Sequence, residues 1–407
     1  MNNIKKVKFL ILGAGPSGLS FANKLLELGE TSFLILEKEA EAGGLCRSRE
    51  VDGKPLDIGG GHFLDIKNQN TLDFIYRFLP EAEWNRYNRK STIRLGEFEI
   101  DFPFESNIHQ FPEEIRKEYL SSISRAGCNT GQAIPEKFED WIYWKLGDKI
   151  ARDYMIPYNK KIWSIDLNRL GIYWLYKLPN VSYEDTLQSC RTGKPAGSIP
   201  AHALFAYPKR YGYGEVWQRM ADRLHGKVLL NYPVGNIDCE HLTVNRDYRA
   251  EVIVTTIPWT ELMGSPGLPG AVRDEIKKLE YASIRVSYRG ESPNTESHWV
   301  YIPDEDTAHH RIVCRQNFCP GAKGYWEETN VKRVQPADLG EGWYHDNTFA
   351  YPINTTGKPE AIRSILEWGK KRSIIGLGRW GEWEHVNSDT AVENALKLAE
   401  NLIEKKL

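Results

Sequence analysis

The chain has 407 residues, of which 41% are hydrophobic and 27% are charged, and its formal net charge is −2. This composition supports a sizeable buried core and excludes a disordered chain, and the lack of a basic excess argues against nucleic acid as a partner. No apolar run of about 18 residues occurs and the apolar run near the N-terminus is too short for a secretory signal, so we expect no membrane span and a cytoplasmic location.

The N-terminal segment has the pattern of one βαβ unit. Residues Lys8 to Leu12 form an apolar run typical of a buried strand, and Ser17 to Leu28 follow with the spacing of an amphipathic helix. Gly29 is placed as a glycine that ends a helix, and Ser32 to Leu36 predict a second strand.

A glycine-rich loop joins the first strand to the helix. It reads Gly13-Ala14-Gly15-Pro16-Ser17-Gly18 and matches GxGxxG in the strand–turn–helix context that gives this motif its meaning. Gly13 permits the turn, Gly15 lets a pyrophosphate approach the backbone, and Gly18 lets the helix pack on the strand. The free N–H groups of the helix N-terminus suit phosphates.

An acidic residue and a second group of glycines follow this unit. Glu37 ends the second strand, where a carboxylate accepts hydrogen bonds from both ribose hydroxyls of a dinucleotide. The glycines after it would let a flat ring lie against bare backbone, and an arginine among them could contact phosphate, which favours FAD over NAD. The candidate FAD-binding residues in this stretch are Lys38, Gly44, Arg47, Ser48, Gly60, Gly61 and His62.

Further elements follow in chain order. We predict a helix over about 70–79, a hairpin over Lys90 to Ile100 with its turn at Gly96-Glu97, and mostly helical structure over 112–178. The remaining predictions are a helix over Val216 to Leu224, strands at 228–230, 250–255, 284–288, 298–302, 311–314 and 373–375, and a last helix over Asp389 to Lys405.

These elements predict an α/β protein with a Rossmann-like, discontinuous FAD-binding domain and an inserted α+β substrate domain. We expect residues 1–100, 195–260 and 365–407 to form the FAD-binding domain. A helical insertion over 101–194 and an antiparallel sheet over 261–364 would form the substrate domain. The six cysteines show no metal-ligand spacing, so no metal site is predicted.

The motifs and their order resemble the FAD-containing amine oxidase and protoporphyrinogen oxidase superfamily. Within it, the chain is most similar to UDP-galactopyranose mutase, especially the eukaryotic type. The segments that carry the resemblance are Gly59-Gly60-Gly61-His62, Phe102-Pro103-Phe104-Glu105-Ser106-Asn107, Pro157-Tyr158-Asn159-Lys160-Lys161-Ile162-Trp163, Tyr207-Pro208-Lys209-Arg210-Tyr211-Gly212, Trp299-Val300-Tyr301 and Gly378-Arg379-Trp380-Gly381.

The resemblance implies a reaction without net redox change. In that family N5 of reduced FAD attacks the anomeric carbon of a nucleotide sugar, the diphosphate leaves, and the sugar recloses in the other ring size. Such chemistry needs a cationic clamp for the diphosphate and a cleft that retains it. A nicotinamide donor, NAD(P)H, is compatible with the family, although the chain has no second GxGxxG. The sequence leaves the oligomeric state open.

The resemblance also implies site residues. His62 and Arg311 are the catalytic candidates, and Lys177 stands near the place where the family has a second arginine. The further FAD-binding candidates are Val234, Gly378, Arg379, Ser388, Asp389 and Thr390. The substrate-binding candidates are Phe102, Phe104, Asn107, Trp163, Trp299, Tyr301, Arg315, Tyr351 and His385.

Several departures weaken the expected substrate site. The chain has Lys177 in place of an arginine, His385 in place of a tyrosine, and Phe102 and Glu105 where the family has tyrosine and glutamine. An FAD-dependent oxidoreductase acting on a small molecule is therefore the alternative function. A third hypothesis is a flavin-binding protein without chemistry.

Overall fold

The computed structural model describes residues 4–177, 180–197, 203–335 and 342–404. The strands in chain order are β1 Lys5–Leu12, β2 Phe33–Leu36, β3 Ser48–Val51, β4 Lys54–Asp57, β5 Leu64–Asp65, β6 Trp84–Asn88, β7 Ser91–Leu95, β8 Phe98–Asp101, β9 Leu204–Pro208, β10 Val228–Leu229, β11 Ile237–Asp238, β12 Thr243–Val244, β13 Tyr248–Thr255, β14 Tyr281–Arg289, β15 Trp299–Tyr301, β16 Arg311–Val313, β17 Tyr325–Asn330, β18 Tyr344–Pro352 and β19 Ile374–Gly376.

The helices are distributed along the whole chain. In order they are α1 Pro16–Glu27, α2 Gln69–Tyr76, α3 Phe104–Asn107, α4 Glu113–Ser124, α5 Phe138–Ile150, α6 Ile156–Trp163, α7 Tyr183–Thr192, α8 Gly214–Asp222, α9 Gly270–Ile276, α10 Lys358–Lys371, α11 Gly378–Gly381 and α12 Ser388–Glu404. A π-helical turn, Ala151–Met155, joins α5 to α6. Within the described ranges, no helix combines the length and apolarity needed to cross a bilayer.

The first sheet has seven strands and contains the predicted βαβ unit. The strands β10, β2, β1, β13 and β19 pair in parallel, and β12 and β11 add an antiparallel extension. Alternate residues of β1 face opposite layers, because Phe9 and Ile11 belong to one apolar core and Leu10 and Leu12 to another. This sheet, with helices on both faces, confirms the predicted Rossmann-like α/β domain.

A second seven-stranded sheet forms the other half of the molecule. Its order is β18-β14-β17-β16-β15-β7-β8, and all of its pairs are antiparallel except β15 with β7. The helices α3 to α7 lie in the stretch predicted as a helical insertion. The α+β character predicted for the substrate domain is therefore confirmed.

The hairpin β7–β8 corrects one expectation about the first segment. We placed residues up to 100 in the FAD-binding domain, but β7 pairs with β15 of the second sheet through Ser91–Trp299 and Ile93–Tyr301. The parallel pairing joins strands about 200 residues apart in the chain, and hydrophobic alternation carries no information about such a partner.

Candidate active site

Two cavities meet in the interior of the protein. One, of about 320 Å³, is lined by the glycine-rich loop and by Glu37. The other, of about 380 Å³, lies between the second sheet and the helices α5 and α6. The residues His62, Arg379, Asn387 and Ser388 line both cavities, so the two form one continuous path. We refer to them as the cofactor cavity and the substrate cavity.

The glycine-rich loop has the backbone geometry that its motif predicts. Gly13 has a φ of 99°, in the region that favours glycine. A Cβ at Gly18 would lie 2.1 Å from the carbonyl oxygen of Gly13, so only glycine allows α1 to pack this closely. No side chain caps the N-terminus of α1, and Gly15, Pro16 and Ser17 line the cofactor cavity.

Glu37 is nearly buried beside this loop. Its Oε2 accepts a hydrogen bond from the backbone N–H of Ala14 at 2.7 Å, and its Oε1 accepts one from Glu39 at 3.0 Å. Each carboxylate oxygen keeps a second lone pair for a ligand hydroxyl. Lys38 and Val234, both predicted FAD-binding residues, line the same cavity.

The second group of glycines is divided between the two cavities. Gly44 and Arg47 line the cofactor cavity, and Arg47 donates to the Gly44 carbonyl at 2.9 Å. Ser48 does not line it, because its hydroxyl donates to Asp57 at 2.5 Å and accepts from the Gly214 N–H at 2.8 Å. Ser48 was predicted to contact FAD directly, but its hydroxyl instead joins Asp57 to the backbone of Gly214.

The glycines before His62 lie against a buried carboxylate rather than against the cofactor cavity. A Cβ at Gly60 would lie 2.6 Å from Oε1 of Glu328, and the N–H of Gly61 donates to that oxygen at 3.1 Å. Gly61 lines the substrate cavity and Gly60 lines neither. The expected direct contact of Gly60 with FAD is corrected accordingly.

The C-terminal segment approaches the glycine-rich loop from the opposite side. Gly378 has a φ of 73°, and a Cβ there would lie 2.0 Å from Oγ of Ser17. Arg379 donates to the carbonyls of Ala350 and Val386, both at 3.0 Å, which fixes its guanidinium at the junction of the cavities.

Ser388 begins α12 and shares a 2.6 Å hydrogen bond with the Tyr213 hydroxyl. Asp389 and Thr390, which follow it, line neither cavity, although both were predicted FAD contacts. In α12 the cavity is lined by Ser388 and Ala391, which lie on one face of the helix, and Asp389 and Thr390 stand between them on other faces. Gly378 likewise lines neither cavity and acts through its close packing on Ser17.

Most of the predicted substrate residues converge on the substrate cavity. The residues that line it are His62, Phe102, Trp163, Trp299, Tyr301, Arg311, Tyr351 and His385. Burial, followed by the positive charge of Arg379, lowers the pKa of His62 to about 4, so its imidazole is neutral at physiological pH. Nδ1 of His62 lies 3.2 Å from the Gly60 carbonyl oxygen.

Arg311 is held by a carboxylate that sequence analysis missed. Its Nε and Nη2 donate to Oε2 of Glu328 at 3.1 and 2.5 Å, and Nη2 lies 3.5 Å from the Tyr351 hydroxyl. Burial would raise the pKa of Glu328, but the charge of Arg311 and the hydrogen bond with His310 outweigh it and hold the pKa at about 2. The pairing Arg311–Glu328 across β16 and β17 could have been found only from the strand register.

Three predicted substrate residues do not reach the cavity. Arg315 is fully buried in a turn after β16, and its guanidinium donates to the carbonyls of Val51, Lys54 and Lys323. Arg315 does not reach the cavity beside Arg311 because β16 ends at Val313, two residues before Arg315.

Phe104 and Asn107 are also placed away from the substrate cavity. Phe104 packs among buried rings, including Tyr154 at 5.6 Å, and Asn107 donates to the Pro103 carbonyl at 2.8 Å. Both side chains face the helical core from α3. The backbone of Lys177 belongs to the 3-10 turn Leu175–Lys177, and its side chain lies outside the described part of the structure.

Several cavity residues were not predicted. Arg89, Tyr154, Tyr158 and Asn159 line the substrate cavity, beside Glu105, whose position the family resemblance had placed at the substrate site. The π-helical turn contains Tyr154, and such turns often occur at functional sites because the extra residue reorients a side chain. Among the described residues, no group of three or more potential metal ligands occurs.

We compared the sequence and the fold of the chain with those of known proteins. Residues 11–78 match the NAD(P)-binding Rossmann-like domain family. UDP-galactopyranose mutase of Mycoplasma pneumoniae is 23% identical over 425 aligned positions, which cover 99% of this chain and 98% of the relative. A crystal structure of reduced UDP-galactopyranose mutase superposes with a TM-score of 0.88 at 23% identity, covering 98% of this chain and 94% of the other.

The chain is similar to UDP-galactopyranose mutase along nearly its whole length. Cyclohexylamine oxidase from Brevibacterium oxydans has the same fold at a lower TM-score of 0.70, with 16% identity over 98% of this chain and 99% of the oxidase. The mutase-like chain therefore shares its architecture with amine oxidases, as the sequence motifs predicted.

Proposed function

We propose that this chain is an FAD-dependent mutase that interconverts the pyranose and furanose forms of a nucleotide sugar. The observation that carries the proposal is the path from the dinucleotide cavity, past His62 and Arg379, into a cavity that contains Arg311. A ring bound at that junction would face a sugar whose diphosphate lies against the guanidinium.

The residues of the cofactor cavity fit FAD. The uncapped N-terminus of α1 offers backbone N–H groups to a pyrophosphate, and the Glu37 carboxylate is positioned for ribose hydroxyls. A Cβ at Gly44 would lie 3.2 Å from Cα of Gly15, so the two glycines let opposite walls of the cavity approach each other. When bound and reduced, FAD would supply its N5 as the nucleophile toward the anomeric carbon.

Arg311 is suited to bind the diphosphate that leaves and returns. Its charge is assured, because the contact with Glu328 outweighs burial and raises its pKa well above the ordinary value. Glu328 accepts hydrogen bonds from Nε and Nη2. Among the described residues none accepts a hydrogen bond from Nη1, so the N–H groups of Nη1 are left for phosphate oxygens. A guanidinium fixed before the reaction stabilises developing charge without reorganisation.

The walls of the substrate cavity would retain the reacting groups. Aromatic rings of Phe63, Trp163, Trp174 and Trp299 line it. Such walls exclude water, which would otherwise hydrolyse an activated sugar, and they keep the diphosphate near the sugar for its return.

The test is turnover at two redox states. Purified holoprotein is incubated without oxygen with UDP-, GDP- and CDP-linked hexopyranoses, either oxidised or reduced with dithionite, and the products are separated by chromatography. The proposal predicts a furanose product only with the reduced protein. Arg311→Lys should lower the rate at least a hundredfold, because lysine cannot form a bidentate contact.

The contrary outcome also has a physical basis. Turnover by the oxidised protein without a reductant would contradict the proposal. Bleaching of the flavin by a small amine with peroxide release in air would favour the oxidoreductase function, which the likeness to an amine oxidase fold motivates.

A further inference from the structure

Glu105 is the one carboxylate among the described residues that line the substrate cavity. It is the second residue of the short helix α3, which follows Phe102-Pro103, and its side chain is half-buried. No described side chain donates a hydrogen bond to it, and burial raises its pKa while its own backbone N–H and Lys145 oppose this. A carboxylate in a largely aromatic wall without a side-chain donor keeps lone pairs that can accept hydrogen bonds from a ligand.

Glu105 lies at the end of the cavity that is distant from the junction with the cofactor cavity. Tyr301 pairs with Arg311 between β15 and β16. The ring of Tyr301 lies 5.3 Å from that of Phe102, which precedes Glu105 by three residues. The cavity therefore runs from His62 past Arg311 to Glu105, and a diphosphate at Arg311 would direct its nucleoside toward Glu105.

A fixed cation shares this distant end. Arg89 lies over the rings of Phe102 and Trp299, at 5.0 and 4.8 Å, and donates to the Tyr301 hydroxyl at 2.7 Å. Hydrogen-bond donors, acceptors and aromatic faces are thus gathered at the place where a nucleobase would lie.

The chemistry of these groups distinguishes among bases. A carboxylate accepts two adjacent N–H bonds, which guanine offers through N1–H and its 2-amino group. Guanine also presents O6 and N7, the acceptors that arginine binds. Uracil has a single N–H between two carbonyl oxygens, and a carboxylate would repel those oxygens. Aromatic rings stack on either base and do not discriminate.

We propose that Glu105 is a specificity-determining residue that selects guanine as the base of the nucleotide sugar. In this arrangement Arg89 donates a hydrogen bond to O6 or N7 of the same base. This inference rests on the proposed function in one respect, which is that a nucleotide sugar occupies the substrate cavity. It concerns recognition of the base and not the chemistry at the sugar.

Binding of free nucleoside diphosphates tests it without turnover. Isothermal titration calorimetry on the oxidised holoprotein at pH 8 would compare GDP, IDP, UDP and CDP. We expect GDP to bind at least tenfold more tightly than UDP. IDP lacks the 2-amino group, so it should bind about tenfold more weakly than GDP. This comparison needs only the unaltered protein.

A variant then assigns the preference to one side chain. Glu105→Gln replaces the carboxylate with an amide that both donates and accepts, so GDP should bind at least tenfold more weakly while UDP binds equally well or better. Glu114→Gln, at a side chain that is 87% exposed on α4, is the matched control and should leave the order unchanged. Retained FAD absorbance would confirm that each variant is folded.

Three outcomes would overturn the inference: UDP binding as tightly as GDP, equal weakening of all four ligands by Glu105→Gln, and no binding of any diphosphate. The turnover test stays separate. The predicted GDP preference without any furanose product would refute the mutase function but support the base specificity. Furanose formation from a UDP-sugar, with no preference for GDP, would support the mutase function but refute the base specificity.

Discussion

At the scale of single residues, the paired charges of Arg311 and Glu328 connect the fold to the proposed chemistry. Glu328 is fully buried on β17 and contacts Arg311 on the adjacent strand β16, while its other oxygen accepts the N–H of Gly61 beside His62. One carboxylate therefore positions both the candidate phosphate-binding guanidinium and the loop before the candidate flavin contact.

Glu328→Gln should lower the free energy of unfolding by about 3 kcal/mol, because breaking a buried ion pair leaves an uncompensated charge. The pair stabilises the fold fully above about pH 4.3, the ordinary glutamate pKa, and this contribution is lost as the pH falls toward about 2. The difference between wild type and variant in urea denaturation should therefore shrink on acidification from pH 5 to pH 2.

Glu327→Gln is the matched control for this prediction. Glu327 is the preceding residue, and its partner Arg289 has a side chain that is 36% exposed. Because solvent screens such a pair, its loss should cost about 0.5 kcal/mol. Equal destabilisation by the two variants would show that the Arg311–Glu328 contact is not special.

Asp57 gives a pH dependence of the opposite sign. It is fully buried, and burial raises its pKa to about 7 despite hydrogen bonds from the Ser48 hydroxyl and the Tyr213 N–H. An aspartate in an unfolded chain has a pKa of about 3.9. The contribution of Asp57 to stability is therefore complete below that pH and is lost as the pH rises through 7.

The Asp57→Asn variant should remove this dependence. Wild-type protein should lose up to about 1.4 kcal/mol of unfolding free energy per pH unit between pH 4 and pH 7 from this group alone, and the variant should not. Chemical denaturation at pH 5 and pH 7 measures the difference. An identical pH slope in both proteins would mean that Asp57 is ionised throughout.

The sequence signal for the glycine-rich loop and Glu37 was strong for a local reason. Gly13, Gly18 and Glu37 act within one βαβ unit, whose geometry follows from nearby residues. Arg315 was misplaced because its strand ends two residues earlier. Glu328 was missed because its role depends on a register between strands, which no single segment encodes.

At the scale of elements, the packing of α1 against the glycine-rich loop controls the cofactor cavity. Gly18→Ala would place a Cβ 2.1 Å from the Gly13 carbonyl oxygen, so the helix would have to shift. We expect the purified variant to lose most of its bound FAD, measured as the ratio of flavin to protein absorbance.

Gly29→Ala, at the other end of α1, separates this effect from general strain. Gly29 has a φ of 80° with no atom within 4 Å of an added Cβ, so the change should cost about 1 kcal/mol in stability without loss of FAD. FAD retention in Gly18→Ala equal to that in Gly29→Ala would refute the role of close packing at the loop.

Some strands and helices were predicted from the sequence and others were not. The strand–helix–strand unit over residues 5–36 and the hairpin β7–β8 were found because hydrophobic periodicity and turn residues are local signals. The sheet that this hairpin joins was not predicted, because the partner strand β15 comes about 200 residues later. The strands β17 and β18, which have less regular patterns, were missed entirely.

At the scale of the whole molecule, the path that joins the cofactor cavity to the substrate cavity is lined by residues from distant parts of the chain. The glycine-rich loop comes from the first sheet, Arg311 from the second, and Arg379 and Ser388 from the C-terminal segment that lies between the cavities. Removal of either sheet would open the junction, so cofactor retention and substrate binding should depend on both. The proposed mutase chemistry is thus a property of the junction.

The most direct test of that chemistry is the mass of the flavin after trapping. The holoprotein would be reduced without oxygen and mixed with cyanoborohydride and either GDP- or UDP-linked galactopyranose, and its flavin would then be released and weighed. The account predicts a flavin heavier by one sugar, with Arg311→Lys giving little product. An unmodified flavin with both nucleotide sugars, from protein that binds the free diphosphates, would contradict it.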